Sequence, residues 1–279
     1  GTYDALVYDE LKEMRAEKEY TKYIGKINGI AYLGLLVSAL GASVAIHWGY
    51  SFVLVISLLS LVVSAIAIST VPKAKAVETT HEKEYFKLLK EGLTFALRSP
   101  FLLGLIIFIS LVQGLGGALD EYWSIFASAS GVQQNLIAVF IAIYGGVQFV
   151  ASSIAYRFAG FSNRSLYLMV VMQGALLLAA SLIFKPFAVL FLLVFTFIFK
   201  VVDTVYQGRL QDRLPSHIRA TTSSVKGFFV EIAVMAVYIG FGTLAQSYGY
   251  QITFGIFGAI IAMIGFMYLV KPEKELRLK

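Results

Sequence analysis

Residues 101–127 read FLLGLIIFISLVQGLGGALDEYWSIFA, and the first charged side chains in them are Asp120 and Glu121. At 1.5 Å per residue the uncharged part alone makes a helix roughly 28 Å long, close to the thickness of a bilayer's hydrocarbon core. The stretch reads as a membrane span with two adjacent carboxylates near its far end. Composition points the same way. The 279 residues are 58% hydrophobic and 14% charged, against about 45–50% apolar and about 25% charged in soluble domains. So little charge cannot solvate the surface of a globule this size. Cysteine is absent, which excludes a disulfide framework and thiolate chemistry.

Working outward, comparable apolar runs occur at roughly 23–46, 51–71, 132–157, 166–184, 187–208, 220–246 and 250–270, making eight in all. Lipid tolerates no unpaired backbone group, and none of these runs shows the alternation of a barrel strand, so each is read as a helix. The fold class is all-α, a polytopic integral membrane protein. The opening GTYDALVYDELKE reads as the tail of one more helix. Three regions follow: 1–71, the remnant of one helical bundle; 72–99, a linker; and 100–279, a second bundle of six helices. Within the linker, EKEYFKLLKEGLTFALRSP places Phe86, Leu89, Leu93 and Ala96 on one helical face, as in a helix lying along a membrane surface.

Nineteen of the twenty-three lysines and arginines fall at 12–22, 73–98, 157–164, 209–219 and 271–279, whereas the alternate connections hold only Lys185. By the positive-inside rule the basic connections and the C-terminus face the cytoplasm. The net charge of +6 is then a topology signal, and no nucleic-acid partner is expected. The expected setting is the cell membrane (plasma or bacterial inner), with the lipid bilayer as partner.

An internal repeat is suggested at an offset near 200 residues: Asp4 with Asp203, Lys26 with Lys226, and Trp48-Gly49-Tyr50 with Tyr248-Gly249-Tyr250. Parallel helical repeats are a transporter construction. The opening GTYDALVYD, the turn HWGYSF, the segment KLLKEGLTFALRSP and the turn RLQDRLPSHIRATTSS together resemble a permease of the major facilitator superfamily, from the end of its fourth helix through its twelfth. The resemblance implies that three helices and the Gly- and Arg-rich loop between helices 2 and 3 would precede Gly1. A partner of that loop's motif survives as Ala155-Tyr-Arg157-Phe-Ala-Gly160 through Arg164, without the usual aspartate. The fifth helix, GKINGIAYLGLLVSALGASV, lacks the proline that drug–proton antiporters of the superfamily usually carry there.

The resemblance implies a secondary active transporter working by alternating access. The reading is proton-coupled export of a small organic compound by a chain that is monomeric when full length. Uptake by symport and a non-transporting sensor or scaffold are the alternatives. Ionisable side chains at membrane depth are expensive, so each needs a partner or a wet cavity. Glu231, twelve residues past Arg219 and hence near the midplane, is the first choice for the proton or substrate carboxylate. Asp120 and Glu121 are placed near the outer mouth of a cavity, with Tyr122 and Trp123 as interfacial aromatics and Gly114, Gly116 and Gly117 as a bend. Lys200 and Asp203, three apart on one helix, are expected to neutralise each other. Asp4, Gln148 and Asn28 complete the pathway candidates; Lys26 and Lys226 are expected to snorkel to headgroups. Asp9, Arg157, Arg164, Arg213 and Arg219 are gating-loop candidates, with Asp9 expected to meet an arginine of the preceding loop.

An enzyme is not expected. His81-Glu82-Lys83-Glu84-Tyr85 begins like a zinc-binding helix but has tyrosine for the second ligand. His47 and His217 belong to opposite membrane faces, and no GxSxG elbow occurs. No metal and no cofactor are implied.

Overall fold

The computed structural model describes residues 2–70, 92–95 and 98–270, and all of its regular elements there are helical. In chain order they are α1 (Thr2–Glu13), α2 (Tyr20–Ala45), α3 (Tyr50–Ser69), α4 (Pro100–Asp120), α5 (Trp123–Ala129), α6 (Gln134–Ile154), α7 (Asn163–Ile183), α8 (Val189–Gln211) and α9 (Ser216–Val270). The surface helix expected over 72–99 lies mostly outside the described residues. Its last part forms a helical turn at 92–95, and Phe95 packs against the core.

Local chemistry sets the boundaries. Ser99 caps α4 by accepting from the Leu102 amide at 3.2 Å, and Pro100 fills the first helical position, where no amide donor is needed. Ser162 caps α7 in the same way, its Oγ accepting from the Ser165 amide at 3.1 Å. Phe184, at φ 39°, ends that helix in the left-handed region. The two Gly-Tyr turns share one backbone conformation, with Gly49 at φ 97°, ψ 161° and Gly249 at φ 78°, ψ 166°. That region is open almost only to glycine.

The Gly249 turn divides α9. Phe241 and Phe254 would stand about 20 Å apart along a straight helix, yet their ring centroids are 5.0 Å apart. The chain therefore doubles back, as the separate runs 220–246 and 250–270 predict. Among the described residues six helices are long and apolar enough to cross a membrane, α9 counted as one of them. One of the six, α3, buries none of its side chains, as befits a helix solvated by lipid.

Buried side chains form two clusters. A large one joins α4 to α9, and a small one of Tyr8, Leu11, Tyr20 and Ile24 joins α1 to α2. The two parts meet where α2 lies on α6: a Cβ at Gly25 or Gly29 would overlap the Ser152 carbonyl or the Ser153 hydroxyl. Likewise α7 and the second arm of α9 touch backbone to backbone at Gly174 and Gly258, the close approach that small residues permit between helices in lipid.

The span expected over 101–127 is corrected in three respects. It is not continuous: α4 stops at Asp120 and a short α5 begins at Trp123. Two of the three glycines before the break serve packing instead of bending, since Gly114 lies against Ala233 and Gly116 against the ring of Phe199, whereas a Cβ at Gly117 would meet no neighbour within 4 Å. Nor is Trp123 an interfacial aromatic. It is fully buried, between Phe195 and Phe254, because α5 carries the chain two turns further before the turn at Gly131.

Candidate transport-pathway site

Three polar clusters thread the apolar bundle. The first joins α4 to α8. Lys200 Nζ lies 3.5 Å from Asp120 Oδ2, with both side chains nearly buried. Trp123 Nε1 donates to Asp120 Oδ1 at 3.1 Å, and the Tyr144 hydroxyl of α6 bonds the same carboxylate. The ammonium lies 4.6 Å from the ring centroid of Phe199 and 5.0 Å from that of Tyr32 on α2. Four helices thus converge on one ion pair at membrane depth. The expected Lys200–Asp203 pair is replaced by this one, because the ammonium turns toward α4 instead of along its own helix.

In the second cluster Asp203 accepts from Gln113 of α4 and from Gln207 at 3.2 Å. Gln113 Oε1 in turn accepts from Lys226 Nζ at 3.3 Å. Lys226 therefore does not snorkel to the surface, whereas Lys26 is exposed. Asp4 of α1, half-buried, lies within electrostatic reach of Lys226 and Asp203. A single amide side chain thus links a lysine of α9 to an aspartate of α8, with the Asp4 carboxylate close by.

The third cluster is at the end of the bundle where the basic connections gather. Arg219, 2% exposed, contacts Asp9 of α1 through Nη1. It also donates to Ser216 Oγ at 3.2 Å and to the Leu214 carbonyl at 2.6 Å. Its guanidinium lies 4.1 Å over the Tyr8 ring, and the Tyr8 hydroxyl donates to Asp212 Oδ1 at 3.0 Å. Asp9 thus meets an arginine from the start of α9. The motif-like turn 155–164 is held by Arg209, which bonds Asn163 Oδ1 and the Ala159 and Phe161 carbonyls. Arg157 and Arg164 are exposed there, and Arg213 stacks on Phe101 at 4.5 Å. None of the three joins the Asp9–Arg219 contact.

The remaining candidates are dispersed. Asp120 and Glu121 diverge, as adjacent helical positions must: Asp120 turns into the bundle, while exposed Glu121 bonds the Tyr238 hydroxyl. Glu231 is exposed on the first arm of α9 and makes no ion pair or hydrogen bond among the described residues. Gln148 is buried on α6 and Asn28 half-buried on α2. Reading by charge alone missed the neutral members: Gln113, Tyr8, Tyr32 and Gln207. Gln113 had a visible signal, being an amide inside an otherwise apolar span.

A helical bundle with spans of membrane length and with charges shared between its helices is the architecture of a polytopic membrane protein. The chain belongs to the major facilitator superfamily: the sequence model described as Major Facilitator Superfamily matches residues 11–238. It is accordingly a multi-pass membrane protein and a secondary transporter of that superfamily, whose members are in general not enzymes. No curated protein matches it.

Proposed function

We propose that the protein exports a small organic compound in exchange for protons, with the Asp120–Lys200 pair as the coupling centre. The buried ion pair is the observation that carries the reading. Removing two charges from water costs several kcal/mol each, and apolar replacements of such pairs are often neutral or stabilising (about 1–4 kcal/mol). A pair held at that expense between α4, α8, α2 and α6 is better explained by use than by stability. A proton on Asp120 releases Lys200; loss of the proton re-forms the pair. Because the two helices are tied in one state and untied in the other, protonation changes how the bundle packs. Exchange results when the compound and the proton compete for this carboxylate, so that each is released as the other binds.

The same proposal gives the basic end a role. The Asp9–Arg219 contact ties α1 to the start of α9, and its rupture would let the two parts of the chain separate on that side. Basic connections at 157–164 and 209–219, with a cytoplasmic C-terminus, make this the cytoplasmic gate. Glu231, on an exposed face, is assigned to the substrate path, with Glu121 and Asp203.

The test uses proteoliposomes loaded with a pH indicator and challenged with a panel of small organic compounds under an imposed pH gradient. A compound that moves protons opposite to itself supports the proposal. Flux of a compound in the same direction as protons would establish symport. Binding of compounds with no flux would identify a sensor.

A further inference from the structure

At the basic end, beside the third cluster, α4, α7, α8 and α9 part to leave a cavity of about 520 Å³. Its wall is apolar and aromatic: Phe101 and Leu105 of α4, Tyr167 of α7, Tyr206 of α8 and Tyr268 of α9. Tyr206 contributes a hydroxyl sealed from solvent with no aligned hydrogen-bond partner, although the Tyr167 hydroxyl is close by. The rim is cationic. Arg209 is fixed by three neutral acceptors, Asn163 Oδ1 and the carbonyls of Ala159 and Phe161, so its charge is oriented but not cancelled. Arg213 lays its face on Phe101 at 4.5 Å and makes no hydrogen bond among the described residues, which leaves its N–H edge available. Asp212, in the adjoining recess, is the one carboxylate among the described residues that line either space, and it already accepts from Tyr8. Two guanidinium groups therefore face one carboxylate.

We propose that this cavity holds an anionic phospholipid of the surrounding bilayer, with an acyl chain against the aromatic wall and the phosphate at Arg213. The volume lies in the range of ligand pockets, about 300–1,000 Å³. Pro100 and Arg213, at the mouth, are exposed at helix ends, the depth at which headgroups lie. Basic pockets between spans suit such headgroups. A small soluble anion would leave the aromatic wall uncovered, and a zwitterionic lipid would meet the two cations with no net charge. Orientation in the membrane is immaterial to this proposal, as is the nature of the transported compound.

Native mass spectrometry of the full chain tests it, in micelles supplemented with phosphatidylglycerol, phosphatidylcholine or laurate. Phosphatidylglycerol should be retained in preference to phosphatidylcholine. Arg213→Gln should weaken retention about tenfold, the effect of losing a charge-assisted hydrogen bond. Gly104→Leu should also abolish it, because a Cβ there enters space with no atom within 4 Å and fills the cavity without displacing a helix. Equal retention of the two phospholipids, or retention unchanged in both variants, would overturn the proposal. So would preference for laurate over phosphatidylglycerol, which would assign the cavity to a soluble amphiphile. If Arg213→Gln does not fold, Gly104→Leu alone decides.

Discussion

Lys200 stands three residues before Asp203, yet its ammonium reaches Asp120, eighty residues away in sequence. Spacing offers every ionisable side chain a local partner. The rotation of a helix against its neighbours decides whether that partner is used, and rotation is not written in the spacing of charges. The residues at risk, Asp120, Lys200 and Asp203, were therefore legible as charges at membrane depth, but their pairing was not. The pairing predicts a non-additive stability pattern. Lys200→Met strands a buried carboxylate and should cost about 3–5 kcal/mol, whereas adding Asp120→Asn removes the stranded charge and should restore most of the loss. Thermal unfolding of the single and double variants checks this; losses that simply add would mean the two groups do not interact. At the basic end, outside the spans, partial removal from water raises the Asp212 carboxyl above its ordinary value, against the opposing pull of Tyr8, Arg213 and Arg219. A raised folded-state value means that the fold holds this proton more tightly than the unfolded chain does. The ionised form therefore costs stability at neutral pH, and the cost fades as pH falls through the ordinary carboxylate range. Asp212→Asn keeps an oxygen for Tyr8 to donate to, so it should unfold at or above the parent's temperature at neutral pH, with the difference closing in acid. A neutral-pH deficit that persists in acid would refute this.

The helices themselves were legible because hydrocarbon imposes a length and a composition that few other settings share. Both Gly-Tyr turns could be placed from residues 48–50 and 248–250 alone, and the structure puts positive-φ glycines at both. The break at Glu121–Tyr122 was not legible, since Trp123–Ala129 continues the same apolar composition and a long span is as plausible as two shorter helices. The glycines of α4 were misread for a related reason: sequence shows that a side chain is absent, not which neighbour occupies its place. Their separate settings give a paired prediction. Gly114→Leu would overlap Ala233 and should destabilise by about 1–3 kcal/mol, the usual cost of overpacking. Gly117→Leu, where a Cβ meets no atom within 4 Å, should be tolerated. Monodisperse elution and unfolding temperature of the two variants provide the check; equal damage at both sites would mean that α4 needs flexibility and not closeness.

Over the whole molecule, the proposal joins the basic connections and the buried charges: one end in the cytoplasm, a gate at Asp9–Arg219, a coupling pair deeper in. Orientation can be examined directly, because the chain has no native cysteine. Ser128→Cys and Ser162→Cys lie on exposed positions at opposite ends of the bundle. An impermeant maleimide added to intact cells should label Ser128→Cys and spare Ser162→Cys; the reverse pattern would invert the topology. Asp120→Asn bears most directly on the coupling claim. In proteoliposomes carrying the full protein, the variant should lose accumulation driven by a pH gradient while retaining exchange of the same compound at equal pH, since exchange need not release the proton. A well-folded Asp120→Asn protein that still concentrates the compound against its gradient would contradict the account and move the coupling role to Glu231 or Asp203.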